Sequence, residues 1–291
     1  MQWQISMLWY KKQADVTNRQ SKDGKDVVPA QLEIEFDRSI AESKLNTLLE
    51  HASDVGGVEP LISSLNAKCL LFETVFPVNR PSDWELTEDQ LSAVVRTVFQ
   101  ARRKIDSIAN SIGKQVLING IADLVYGHKS VEDRLDAFVS MVKVDLKKER
   151  RAMRDLAAEI LHFRDPEGMP LMARWVWDEA TASGALREFI RGNDVLPEIP
   201  IDNRPETFEG ARVWFVDILA DAGFYRDVPM LIDLVQAQAY ADYVRAMSGR
   251  IGLIQAEFAQ NHHPLELLSK LLGIDSSAGR DSGVPEEPTL H

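Results

Sequence analysis

Apolar side chains recur every three or four positions along most of the chain after residue 38, the spacing that places them on one face of an α-helix. The longest stretch begins at Thr87, where Thr87-Glu-Asp-Gln90 has the spacing of a capping box. From there the pattern predicts one helix that runs to Gly113. The same period predicts further helices over 115–126, 145–163, 207–222, 228–247, 251–258 and 264–272. We therefore expect a mainly α-helical protein with the architecture of an irregular helical bundle.

The two ends of the chain have a different pattern. Residues 31–36 alternate polar and apolar, which is typical of a strand, and they would pair with residues 2–9 across a flexible loop at 11–29. Residues 1–37 are therefore expected to form either a small N-terminal β-hairpin or a simple extended segment. We assign 38–272 to a single helical domain. The loop at 193–206 is the candidate boundary if this region consists of two parts. Residues 273–291 are rich in Ser, Gly, Pro and Glu and are expected to be a disordered tail.

Charge and composition narrow the classes of partner. The net charge is −12, from 45 acidic and 33 basic residues, which disfavours nucleic acid and anionic membranes as partners. No apolar run is long enough for a membrane span, and the N-terminus lacks the features of a secretory signal. The single cysteine, Cys69, excludes an intrachain disulfide and fits a reducing compartment. We expect an acidic, cytoplasmic protein of bacterial origin.

Polar and aromatic residues are concentrated between Glu159 and Asp178, around Pro166 and Pro170. Trp and Arg are the usual anchors of protein interfaces, so this segment is a candidate interaction surface or pocket wall. Arg164 can pair with Asp165, and Arg174 with Asp178 or a neighbouring ring. The alternative is a buried corner that satisfies its own polar groups. The candidate residues are His162, Arg164, Asp165, Arg174, Trp175, Trp177 and Asp178.

Two other patterns suggest chemistry less specifically. Glu159-x-x-His162 has the spacing of a metal-binding pair on a helix, but the chain has no second pair of this kind, so we predict no metal or cofactor. A helical enzyme that uses Glu159, His162 and Asp165 as acid–base groups or ligands remains an alternative.

The basic run at 143–154 offers a candidate anion-binding site on one face of a helix. Acidic residues interleaved in the run reduce its positive charge. The candidate residues are Lys147, Arg150, Arg151 and Arg154.

The chain contains no phosphate-binding loop, dinucleotide fingerprint, Gly-x-Ser-x-Gly elbow or kinase signature. The leading hypothesis is therefore a non-catalytic interaction, assembly or regulatory protein of a bacterial cytoplasmic complex, with another protein as its partner. The helical enzyme is the second hypothesis. A nucleic-acid-associated protein that uses the 143–154 run is the third, and the net charge disfavours it. The sequence specifies neither the partner nor the oligomeric state.

Overall fold

The computed structural model describes residues 27–193, 196, 198–250 and 264–275. Within these residues the chain is mainly α-helical and contains no β-strand, as the apolar period predicts. The eleven α-helices are α1 (Arg38–Ser53), α2 (Glu59–Val75), α3 (Glu88–Arg96), α4 (Ile105–Ile112), α5 (Lys114–Tyr126), α6 (Val131–Ser140), α7 (Lys147–Arg164), α8 (Ala185–Glu188), α9 (Pro205–Asp221), α10 (Val228–Arg250) and α11 (Leu265–Leu272).

Local sequence signals explain where several helices begin. The capping box at α3 is confirmed, because the Gln90 amide donates to Thr87 Oγ1 over 3.2 Å while the Thr87 amide donates to Gln90 Oε1 over 3.0 Å. Asp37 accepts from the Ser39 amide at the start of α1, over 2.9 Å. Pro60 and Pro205 occupy the first turns of α2 and α9, where the missing amide proton is not needed.

The prediction of one continuous helix from Thr87 to Gly113 is wrong. Helix α3 ends at Arg96, the chain passes through tight turns, and α4 begins only at Ile105. At the break, the Thr97 carbonyl accepts a hydrogen bond from Lys68 Nζ over 3.0 Å, and the Thr97 hydroxyl donates to the Val94 carbonyl over 2.8 Å. Both bonds compete with helical backbone pairing, so tertiary contacts override the local period.

The suggested strand at 31–36 is also not present. Phe36 makes a single antiparallel bridge with Ile190, supported by the Asp37 amide donating to the Phe189 carbonyl over 2.7 Å. The pairing with residues 2–9, most of the loop at 11–29, the helix at 251–258 and the tail from 276 onward lie outside the described residues. Residues 273–275 follow α11 directly, and Asp275 pairs with Arg102 over 3.5 Å.

Helix α7 lies at the centre of the bundle. Eleven of its 18 residues are buried, and α2, α4, α5 and α6 pack around it. Helix α10 packs on α1, α2, α8, α9 and α11. The helices after 193–206 thus contact those before it, and Lys44 pairs with Asp242 over 2.7 Å across the two parts. This packing encloses a set of buried polar residues between α7, α2 and α10.

Candidate functional site

One face of α7 carries three buried acidic or basic side chains. Asp155, Glu159 and His162 are spaced by four and three residues, which stacks them along one side of the helix, and each is at most 2% exposed. Each must find its partner inside the protein, since burying an unpaired polar group is unfavourable. The partners come from three different parts of the chain.

Glu159 forms a buried ion pair with Lys68 on α2. Lys68 Nζ lies 2.6 Å from Glu159 Oε2, and it also donates to the carbonyls of Thr97, over 3.0 Å, and Leu272, over 2.7 Å. All three ammonium protons are therefore used. Burial lowers the pKa of Lys68 and raises the pKa of Glu159, and each effect is opposed by the charge of the other group. Glu159 Oε1 has no hydrogen-bond partner among the described residues.

Both ring nitrogens of His162 face acceptors. Nδ1 lies 2.7 Å from the Met169 carbonyl, and Nε2 lies 2.8 Å from Asp233 Oδ2 on α10. A carbonyl only accepts, so Nδ1 is the donor to Met169, while Nε2 is engaged by the Asp233 carboxyl group. Neither nitrogen is left to bind a metal ion or to accept a proton from a substrate.

Asp155 faces the segment after α7. Its Oδ1 accepts from the Arg174 amide over 2.8 Å, while Arg174 Nη1 lies 4.0 Å from Oδ2. Burial raises the pKa of Asp155 to about 7, because the hydrogen bond and the charge of Arg174 only partly replace lost water. The predicted pairing of Arg174 with Asp178 is present, with Nε donating to Oδ2 over 3.0 Å.

The structure buries the aromatic residues of the candidate segment. Trp175 is 4% exposed and Trp177 is 1% exposed, and the Trp177 indole donates to the Ile201 carbonyl over 3.1 Å. The predicted pairing of Arg164 with Asp165 is wrong. Arg164 instead donates to the Phe76 carbonyl over 2.8 Å, and exposed Asp165 accepts from the Gly168 amide over 3.1 Å. Most of this corner thus faces the interior.

The candidate acid–base groups do not converge on one point. Glu159 faces Lys68, His162 faces Asp233, and Asp165 turns to its own loop. No group of three His, Cys, Asp or Glu side chains with metal-binding geometry occurs among the described residues. A small cavity between α7, α9 and α10 reaches His162 and Asp233, but it has room for about one water molecule. Glu159 thus joins α7 to α2, and His162 joins α7 to α10.

The basic residues of α7 do not form one free surface either. Arg150 Nη1 donates to the Val142 carbonyl over 2.8 Å, and Arg154 Nη2 donates to the Asn203 carbonyl over 3.0 Å. Burial lowers the pKa of Arg154. Lys147 and Arg151 are exposed. Only part of the predicted anion-binding face therefore points to solvent.

A different group of aromatic and basic residues lies at the surface, on the loop between α2 and α3 and the end of α5. The guanidinium carbon of Arg80 is 5.0 Å from the ring centroid of Trp84 and 5.2 Å from that of Tyr126. The two rings meet edge to face, with centroids 5.0 Å apart. The guanidinium carbon of Arg164 is 5.3 Å from the Tyr126 centroid. We call Val78, Arg80, Trp84, Tyr126 and Arg164 the Arg80 surface.

The backbone around the Arg80 surface is held by its own hydrogen bonds. The Trp84 indole donates to the Val75 carbonyl over 2.8 Å, and the Tyr126 hydroxyl donates to the Pro77 carbonyl over 3.1 Å. Arg164 and Arg134 donate to carbonyls at the C-terminal ends of α2 and α5, respectively. Cations are favourable at these ends, where the helix dipole is negative. The rings of the Arg80 surface are thus fixed in place while remaining partly exposed.

Sequence reasoning identified Arg164 but not the rest of the Arg80 surface. Tyr126 lies 46 residues after Arg80 and 38 residues before Arg164, so no local spacing links them. The available signal was weaker: Trp84 stands in a polar, proline-containing loop where no helical face requires it.

Comparison with protein families, curated proteins and solved structures finds no match to this chain. Among the described helices, every one is too short or too polar to cross a lipid bilayer.

Proposed function

We propose that this protein is a non-catalytic interaction protein, with an assembly or regulatory role in a bacterial cytoplasmic complex, and that its protein partner docks on the Arg80 surface. The observation that supports this most is the environment of Arg80. Its guanidinium lies over two partly exposed aromatic rings, and it has no hydrogen bond or ion pair with any described residue.

The composition of the Arg80 surface favours binding of another protein. Trp, Tyr and Arg are the residue types most enriched at the energetic centres of protein interfaces. Val78 adds an apolar side chain that is 63% exposed. Because the two rings are already held by hydrogen bonds, docking would immobilise few additional groups, which lowers the entropic cost of binding.

The interior polar groups give less support to the helical enzyme. The ammonium group of Lys68 and both ring nitrogens of His162 are occupied within the protein, and the cavity beside His162 admits about one water molecule. A general acid or base needs a free position within hydrogen-bond reach of a substrate. The basic face of α7 likewise gives limited support to nucleic-acid binding, since two of its four residues bond to backbone carbonyls.

Affinity purification of the full chain, followed by mass spectrometry, tests the proposal. Three chains are compared: wild type, Arg80→Glu and Arg226→Glu. Arg226 is also exposed and without an ion pair among the described residues, but it does not lie over aromatic rings, so it is a matched control. We expect specific partners with wild type and Arg226→Glu, and their loss with Arg80→Glu. Equal partner sets for all three chains, or none above a bead control, would contradict the proposal.

A further inference from the structure

We infer that the Arg80 surface recognises a carboxylate-bearing peptide segment of the partner. This inference rests on the proposed function and specifies the chemistry of the contact. Arg80 is exposed, and its guanidinium lies over the rings of Trp84 and Tyr126 while its N–H donors are left unused. A guanidinium held in this way matches the two oxygens of a carboxylate, which it binds through paired, charge-assisted hydrogen bonds.

The arginines of this region are not paired with carboxylates of the described residues. No described carboxylate forms an ion pair with Arg80, Arg134 or Arg164. Asp83 and Glu85 flank Trp84 in the sequence and are exposed, yet neither pairs with Arg80. Burial raises the pKa of Tyr126. The positive charges of Arg164 and Arg80 act in the opposite direction and offset part of this rise.

The other two arginines are partly compensated by backbone. Arg134 donates to the Leu124 and Val125 carbonyls, and Arg164 to the Phe76 carbonyl, so both face the negative ends of helices. Arg80 has no such partner among the described residues. It is therefore the group at this surface whose charge is left for a ligand, and Arg164, whose guanidinium also lies over the Tyr126 ring, adds a second positive charge.

Charge and ring geometry favour an acidic peptide over a nucleic acid. The whole chain carries a net charge of −12, which repels a long polyanion more than a short segment with a few carboxylates. Base stacking requires open aromatic faces, whereas guanidinium groups lie over Trp84 and Tyr126.

Fluorescence polarisation at low salt with the full chain tests the inference. The probes are a labelled hexapeptide of alternating glutamate and alanine, the same peptide with glutamine in place of glutamate, and a labelled oligothymidine. We expect the glutamate peptide to bind at least about tenfold more tightly than the glutamine peptide, the ratio expected of a charge-assisted hydrogen bond. Arg80→Glu should abolish this preference, Arg80→Lys should reduce it, and Arg226→Glu should leave it unchanged.

The outcomes separate the inference from the proposed function. Equal binding of the two peptides, or a preference that survives Arg80→Glu, overturns the carboxylate assignment. Tighter, Arg80-dependent binding of oligothymidine overturns it in favour of a nucleic acid. If partners are still recovered in an Arg80-dependent way while the glutamate preference is missing, the docking surface stands and only its carboxylate chemistry fails. Circular dichroism of each variant confirms that the fold is retained.

Discussion

Burial raises the pKa of Asp155 to about 7, and this has a direct consequence for stability. An unfolded chain releases the same proton near the ordinary value of 3.8, so the folded protein binds more protons between these two values. Stability contributed by this group is therefore present at low pH and is lost as the pH rises through that window.

Replacing Asp155 by Asn tests this dependence. The amide oxygen of Asp155→Asn can still accept from the Arg174 backbone, but the side chain no longer ionises. We expect the melting temperature of the variant, relative to wild type, to increase as the pH is raised from about 4 to about 8. Differential scanning calorimetry over that range provides the measurement. A difference that stays constant with pH would show that Asp155 ionises normally in the folded state.

The ion pair between Lys68 and Glu159 is a second buried charge system at the scale of single residues. Lys68→Met leaves the Glu159 carboxylate without its cation, and we expect the free energy of unfolding to fall by about 3–5 kcal/mol. The double variant Lys68→Met/Glu159→Gln removes both charges, so its loss should be smaller than the sum of the single losses. Urea unfolding of the four chains measures this coupling. Additive losses would mean that the pair contributes no interaction of its own.

At the scale of helices, α11 is fixed by its C-terminal turn. Gly273 has a φ of +66°, and a Cβ atom placed there would lie 1.6 Å from the Thr97 carbonyl oxygen. The Leu272 carbonyl beside it accepts from Lys68. The end of α11 thus approaches the break between α3 and α4 more closely than any residue with a side chain would allow.

Gly273→Ala is therefore expected to detach the end of α11. Gly223→Ala is the matched control, since Gly223 also has a positive φ, +90°, but a Cβ atom added to it would meet no other atom within 4 Å. Gly223→Ala should lower stability by about 1–3 kcal/mol from backbone strain alone. Gly273→Ala should lower it further and should increase hydrogen exchange in 265–275. Equal effects of the two substitutions would show that the contact with Thr97 relaxes easily.

The helices themselves were predictable from local patterns, whereas their interruptions and pairings were not. Helices α5, α7, α9, α10 and α11 lie where the apolar period places them. The break after α3 depends on Lys68, 29 residues before Thr97, and the partner of His162 is 71 residues away. The Arg80 surface likewise assembles from separate segments. Periodicity reports which face of a helix is buried, but not which buried polar groups meet.

For the whole molecule, the central question is whether 193–206 divides it. Arg38 on α1 pairs with Asp221 at the end of α9, and Lys44 pairs with Asp242 on α10. His162 on α7 bonds to Asp233, also on α10. The aromatic rings of Phe36 and Trp214 pack with centroids 4.9 Å apart. Each of these contacts joins the chain before the loop to the chain after it.

We therefore expect the chain to unfold as one cooperative unit. Far-ultraviolet circular dichroism reports all helices, and tryptophan fluorescence reports Trp residues on both sides of 193–206, so the two urea transitions should coincide. Asp233→Asn weakens the bond to His162 and should shift both transitions to lower urea together, without separating them. Two resolved transitions, or a shift in only one probe, would show that the helices after the loop form an independent domain.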